Sequence, residues 1–548
     1  MNALKESFYK ATQGEGNLVF ISGEAGIGKT RLLREVSVFA QSRGTQVLHG
    51  RCPALFRMDG VPPYVIWKEV IKDYLEVCTP EQLQRVIGYY PAEVAKLVPE
   101  VNQKLRTTPQ SFSISPEQEQ NRLFEAVSQF ITNISRETSL LVVLDDLQWT
   151  DPSSLLLLHF LAQGMQKAPL LLLGAYRTEI DDKHPLTSVL AELNRERLPQ
   201  EVHLKRMSLR DISEMIKNML EREDVPEEFC EMVYDKTRGN PFFAEEVVKS
   251  LKEEGIIYLE KGKWKLKEIS TIEFPKSVRN IVESRFSRLD NEYQNFLTLA
   301  SFVGNDFTLE AMAAITGIEE NKLLEMMDGL VKTGFIKHTV IRGEDVCSFT
   351  DIIMRDVVHE EVGPYKRKKL HALVGEALEK VYAHNIDEHL GELALHFRES
   401  GDKEKALGYF LKAGDKARKI YANNEAASYF KCALELLEGK EGENQQKEHV
   451  LEQLGDIESI GGKYPECMKH WSDALMLSTK LDQKEETATL HRKMARVLWD
   501  KMDDKDKARE HHEMALKILE AEPETIEKAR LYEDMAHMLR RMGEMPKA

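Results

Sequence analysis

The sequence predicts a parallel α/β sheet followed by helices that end in a repeating all-α array. Three observations predict it. Up to about residue 205, short apolar runs alternate with longer amphipathic stretches; from about residue 208 the pattern turns helical; and in the last third small residues recur at a fixed interval. The length of 548 residues suits three or four folded units at roughly 150 residues each.

The apolar runs are Leu18 to Ile21, Gln46 to His49, Leu140 to Leu144, Leu170 to Gly174 and Val202 to Leu204. Runs this short and apolar throughout suit parallel strands covered on both faces, with the intervening amphipathic stretches as crossover helices. This segment is assigned to residues 1–207. Residues 208–274 follow as a helical lid ending in a hairpin, in which Ile256 to Leu266 alternate about a Lys261-Gly262 turn. Residues 275–365 hold helices, then Gly334 to Ile341, Arg342-Gly343 and Val346 to Phe349, the pattern of helices followed by a two-stranded wing. Such a unit resembles a winged helix, and because it is not markedly basic an internal clamp is favoured over a DNA grip.

Residues 366–548 read as tetratricopeptide-like repeats. Ala413, Ala433, Ala474 and Ala515 follow Phe410, Phe430, Trp471 and His512 by three, and the last three alanines are 41 residues apart. Gly455, Ala495 and Ala536 recur in step with them. Small residues at a fixed interval let the helices of successive hairpins approach closely. Gly543 and Ala548 match the next turn and the next small position, so the array is expected to continue and the sequence to be part of a longer protein.

Composition narrows the function classes. Acids outnumber bases by 91 to 75, a net charge of −16, which disfavours broad binding to a nucleic-acid backbone. The six cysteines are scattered, with no Cys-x-x-Cys pair, the usage of a reduced cytoplasmic protein. No apolar run approaches the ~18 residues of a membrane span, and the N-terminus lacks a secretion core.

The chemistry concentrates in Gly23-Glu24-Ala25-Gly26-Ile27-Gly28-Lys29-Thr30, placed between an apolar strand and a helix. Glycines let backbone N–H groups converge on phosphate oxygens, and the helix that follows directs its positive end at the same anion. Lys29 is expected to reach the β and γ phosphates and the Thr30 hydroxyl to bind Mg²⁺. The strand Leu141 to Leu144 ends in Asp145 and Asp146; the first acid is expected in the Mg²⁺ shell and the second to orient the attacking water. At the end of the next buried strand stands Arg177, placed to touch the γ-phosphate. ATP and Mg²⁺ are therefore the expected cofactors, with Lys29, Asp146 and Arg177 as the catalytic candidates. Gly23 to Arg31 form the nucleotide cradle, with Thr30 and Asp145 on the metal.

Taken together, Ile21 to Leu33, Asp145 to Ser154, Tyr176-Arg177-Thr178 and Arg238 to Phe243 resemble the signal-transduction ATPases with numerous domains (STAND). More narrowly they resemble the Orc1-like AAA ATPases that accompany adenylate cyclases, kinases and LuxR-type or maltose-activator-type regulators. The resemblance implies an AAA-like fold of the additional-strand class, an adenine contact and lid coupling through Asn240 and Pro241, and ATP-driven self-association. Two departures stand out. No Gly-Arg-Glu segment precedes Ala3, and Asp351 stands where the wing unit of the family usually carries a histidine. An acid cannot stabilise a β-phosphate as an imidazole could, so the resting state is expected to be held differently.

The expected function is an ATP-dependent conformational switch, slow in turnover, whose repeat array receives a protein partner or a small inducer. The alternatives are a scaffold with a structural nucleotide, or the body of a transcription activator, cyclase or kinase whose output domain lies outside these residues. DNA would be contacted only through such a domain.

Overall fold

The computed structural model describes all residues except 53–59, 107–115, 182, 222–224, 261–262, 267–277, 342–343, 440–441, 521 and 542–548. The chain divides into two compact units, Met1–Ser113 with Asn121–Asp402, and Ile114–Gln120 with Lys403–Ala548.

The first unit is built on five parallel strands: β1 (Asn17–Gly23), β2 (Gln46–Arg51), β3 (Leu140–Asp145), β4 (Leu170–Arg177) and β5 (Pro199–His203). Their spatial order is β2-β3-β4-β1-β5, so β4 stands between the strand that feeds the phosphate loop and the strand that carries the acid pair. Val19, Phe20 and Ile21 are completely buried. Val19 and Ile21 join Val143, Leu173 and Ala175 under the helices Asn2–Thr12 and Lys29–Gln41, which contribute Leu4, Phe8, Leu33 and Val36. Phe20 points to the opposite face and meets the Tyr176 ring edge-on. Burial on both faces explains why β1, β3 and β4 read as apolar runs.

Ser208 opens the helical segment with a reciprocal capping box to Asp211. The helices Leu209–Leu220, Glu227–Thr237 and Pro241–Glu253 pack Ile212, Ile216, Phe229, Val233, Val247 and Leu251 into a separate core. A hairpin follows, β6 (Ile257–Glu260) against β7 (Lys263–Leu266), with Glu260 opposite Lys263. Its turn at 261–262 lies outside the described residues.

Beyond it come the helices Val278–Ser287 and Asn291–Val303, β8 (Asp306–Thr308), the helices Leu309–Thr316 and Glu320–Thr333, β9 (Ile336–Ile341), β10 (Glu344–Phe349) and the helix Ile352–Glu360. The expected two-stranded wing is a three-stranded antiparallel sheet in the order β8-β10-β9. The extra strand is three residues long, too short to display a period of two, and it exists because Val346, Cys347 and Ser348 offer it a partner edge. Arg342-Gly343, the expected wing turn, lies outside the described residues. The helices Pro364–Val381 and Leu390–Ser400 complete this unit, so the division after Asp402 falls inside the segment expected to be repeats.

The second unit is a row of antiparallel helix pairs, Lys403–Lys419 with Asn423–Leu437, Asn444–Ile460 with Tyr464–Lys480, and Lys484–Asp500 with Lys505–Leu519, followed by Ile526–Arg541. A Cβ on Gly455 would strike the indole of Trp471, and one on Gly414 would come within 2.7 Å of the Phe430 ring. Gly414, not Ala413, therefore takes the small-residue role in the first pair; Phe410 and Ala413 sit together on the first helix of that pair. The expected continuation at Gly543 and Ala548 lies outside the described residues.

Candidate functional site

The site forms where β1 gives way to the helix Lys29–Gln41. Gly26 and Gly28 have φ of +71° and +101°, values that β-carbon-bearing residues rarely adopt, and Gly28 is the N-cap of that helix. No side chain caps it, so the first-turn N–H groups face the loop as an anion cradle. Ile27 is buried under the loop, and Arg31 is exposed on the first helical turn.

Lys29 is 7% exposed, and its Nζ donates to the carbonyls of Gly23 and Glu24 at 2.8 Å. Burial pushes its ammonium below the ordinary lysine value, and Arg177 pushes it further. Thr30 Oγ1 donates to Asp145 Oδ2 at 2.8 Å, which joins the loop to β3 across the intervening β4. Burial first, and the Asp146 carboxylate second, push Asp145 up to about 6. Asp146 adopts a left-handed conformation (φ +58°), donates its N–H to Asp145 Oδ1, and accepts a hydrogen bond from Gln148 Nε2 at 2.8 Å. Gln148 also accepts from the Arg177 N–H at 3.1 Å. It therefore ties the acid pair to the end of β4, where Arg177 stands opposite Gly23 in the sheet register.

Asn240 and Pro241 come from the helical segment. Asn240 caps the helix Pro241–Glu253 by accepting from the Phe243 N–H, while its Nδ2 donates to the Ala25 carbonyl at 3.1 Å. The Phe242 N–H donates to the Gly26 carbonyl, and a Cβ on Gly26 would come 2.7 Å from Phe242 Cβ. The phosphate loop is thus gripped from outside by the N-terminus of a helix more than 200 residues away. Glu24 adds an ion pair with Arg206 at 2.7 Å.

Other residues at this site were not among the sequence candidates. Gln148 is one. Arg51 ends β2 directly opposite Asp145 and forms an ion pair with Asp306 at 3.3 Å. Asp351, by contrast already singled out in the sequence, caps the helix Ile352–Glu360 through the Ile353 N–H. Burial raises its carboxyl, the Ile353 N–H and Arg177 ease it, and the Asp146 carboxylate works against it. Conversely, Asp151 in the Asp145 to Ser154 signature is structural: it is buried, caps the helix Pro152–Gly164 and accepts from the N–H groups of Tyr64 and Ser154. A buried ammonium drawn onto loop carbonyls, an uncapped helix N-terminus and a hydroxyl–carboxylate pair form the donor set that a magnesium-bound triphosphate requires.

This sheet order and this loop define a P-loop ATPase domain of the AAA type. Residues 1–173 match the family described as AAA ATPase domain, and residues 211–265 match a domain of unknown function. Among curated proteins, the chain is 22% identical to an uncharacterised protein of Rhizobium meliloti over 516 residues, 89% of this chain and 47% of that protein. It is 20% identical to hybrid signal transduction histidine kinase G of Dictyostelium discoideum, over 61% of this chain and 12% of that protein. The chain therefore spans half or less of the length of both relatives. Among solved structures it is similar to a STAND protein with a tetratricopeptide repeat sensor from Pyrococcus horikoshii, at 14% identity and a TM-score of 0.41, over 98% of this chain and 80% of that one. It is also similar to AMPPCP-bound DnaA from Aquifex aeolicus, at 16% identity and a TM-score of 0.27, over 69% and 93% of the two chains. Among the described residues no helix is long and apolar enough to cross a membrane.

Proposed function

We propose that this chain is a signal-transduction ATPase whose nucleotide state is read by the helical segment and the wing unit and passed to a repeat array that senses a partner. One observation carries the reading: residues distant in sequence reach the site, Asn240 and Phe242 gripping the phosphate loop and Asp306 holding Arg51, which stands opposite Asp145. A site meant only to hold a structural nucleotide has no need of such convergence.

In this reading Gly23 to Thr30 hold the phosphates through backbone N–H groups, and Lys29 leaves its two carbonyls for the β and γ oxygens. Thr30 and Asp145 hold the magnesium ion, which neutralises phosphate charge when bound. Asp146, fixed by Gln148, orients the attacking water, and Arg177 touches the terminal phosphate. Arg31 extends the cradle, while Asn240 and Pro241 carry the adenine side and the lid. We further propose the division 1–207, 208–274, 275–365 and 366–548, the third segment being a winged helix and the fourth a tetratricopeptide-like sensor for a protein or small inducer. Slow turnover, ATP-dependent self-association and a cytoplasmic setting belong to the same proposal.

The test is Asp146→Asn: it should retain Mg-ATP in calorimetry and lose phosphate release. Equal turnover in variant and parent would refute Asp146 as the water-orienting group. Light scattering with a non-hydrolysable analogue should show a mass increase; an unchanged mass at saturation removes self-association.

A further inference from the structure

Arg51 has no part in the sequence motifs, yet it occupies the carboxyl edge of the sheet, where ligands of such folds bind. It is the last residue of β2 and lies opposite Asp145 in the parallel register. An arginine that merely neutralised the acid pair would hydrogen-bond it. Instead Nη1 reaches away from β3 to Asp306, at 3.4 Å from Oδ1 and 3.3 Å from Oδ2. Among the described residues its Nε and Nη2 make no hydrogen bond, so most of a five-donor fork is uncommitted. Burial opposes the charge of Arg51, and Asp306, Asp146 and Asp145 together outweigh burial, so the guanidinium is attracted from two sides.

Asp306 belongs to another part of the fold. It opens β8, is held opposite Ser348 of β10, and accepts from Asn305 Nδ2 at 3.0 Å. Lys337 of β9 completes the surroundings; burial, then Arg51, push its ammonium down. The contact is long and made by a single guanidinium nitrogen, a geometry weaker than the bidentate fork a phosphate accepts.

We infer that Arg51 is a second phosphate-directed arginine of this site, held in reserve by Asp306, so that the terminal phosphate of ATP and the Asp306 carboxylate compete for one guanidinium. The inference rests on the reading of the loop as a triphosphate site. ADP, one phosphate shorter, leaves Arg51 on Asp306 and keeps the β8-β10-β9 sheet clasped to β2; ATP draws Arg51 away and releases that clasp. Because coupling is reciprocal, whatever weakens the clasp must favour ATP over ADP by the same factor.

The experiment measures the affinities of ADP and of a non-hydrolysable ATP analogue by calorimetry in the full chain. Four variants are compared with the parent: Arg51→Gln, Arg51→Lys, Asp306→Asn and the double variant Arg51→Gln/Asp306→Asn. Asp306→Asn is expected to tighten the ATP analogue about tenfold with ADP unchanged, and Arg51→Gln to weaken the analogue about tenfold with ADP unchanged. The double variant should match Arg51→Gln, because Asp306 acts only through Arg51. Arg51→Lys keeps the charge without the fork and should fall between parent and Arg51→Gln; it substitutes for that variant if the neutral side chain unfolds the unit. An unchanged ATP-to-ADP ratio in Asp306→Asn, or additive effects in the double variant, would overturn the inference. A parent chain that binds neither nucleotide would instead overturn the underlying site reading.

Discussion

Replacing Lys29 by alanine removes an ammonium that is 7% exposed and bound to the Gly23 and Glu24 carbonyls. In the nucleotide-free chain those two hydrogen bonds contribute about 1–3 kcal/mol together. Burial and the neighbouring Arg177 act against the same charge, so gain and loss offset and the melting temperature should move by less than about 3 °C. The loaded chain behaves differently. At nucleotide concentrations about 100-fold above Kd, binding stabilises the folded state by about 2.7 kcal/mol, a shift of roughly 5–10 °C for a domain of this size. Charge-assisted contacts to phosphate contribute about 1.5–3 kcal/mol each, so losing two of them weakens binding by more than about 100-fold and abolishes that increment. Thermal melts with and without Mg-ATP, paired with calorimetry, measure both quantities. An alanine variant with the full nucleotide-induced increment would refute the assignment of Lys29; one that is already unfolded without nucleotide would refute the offset.

Three further outcomes are expected. Asn240→Asp preserves the cap on the helix Pro241–Glu253 but cannot donate to the Ala25 carbonyl, so the helix should remain and nucleotide affinity should fall about 3- to 10-fold in calorimetry. Burial, then Arg367 and Arg355, hold His359 down at about 4, and burial, His371 and His359 hold His396 at about 3. Below pH 6.5 the unfolded chain protonates first, so stability is unaffected above that pH and is lost as pH falls toward 4, by at most about 3 kcal/mol per histidine. Melts at pH 7, 6 and 5 should show this loss, and His396→Leu should flatten it. Gly455→Val drives side-chain atoms into the Trp471 indole, which is 3% exposed, and should cost about 1–3 kcal/mol in the second unit while leaving nucleotide affinity unchanged.

Local elements were legible because their causes are local. The phosphate loop is one strand, turn and helix within Gly23 to Lys29, and its glycines are required by two positive φ values inside that segment. The strands β1, β3 and β4 announced themselves because each is covered on both faces. The helix pairs of the second unit were visible through the spacing of Gly455, Ala495 and Ala536, since close helix approach demands a small side chain at each crossing. β8 was not legible, because a three-residue strand carries no period and owes its existence to the edge of β10. Nor was Gly414, whose role depends on which ring lies opposite it.

The amino-acid order alone thus specified a phosphate loop, an acid pair and a helical array, features whose physics is completed within a few consecutive residues. Which side chains face one another across the site was decided by packing. Strand order placed Arg177 between Gly23 and the acid pair, the docking of a distant helix put Asn240 on Ala25, and the wing sheet brought Asp306 to Arg51. Such pairings link residues separated by up to 255 positions. They arise only once apolar burial has fixed the elements in place, because no local backbone preference records which charge will stand opposite which.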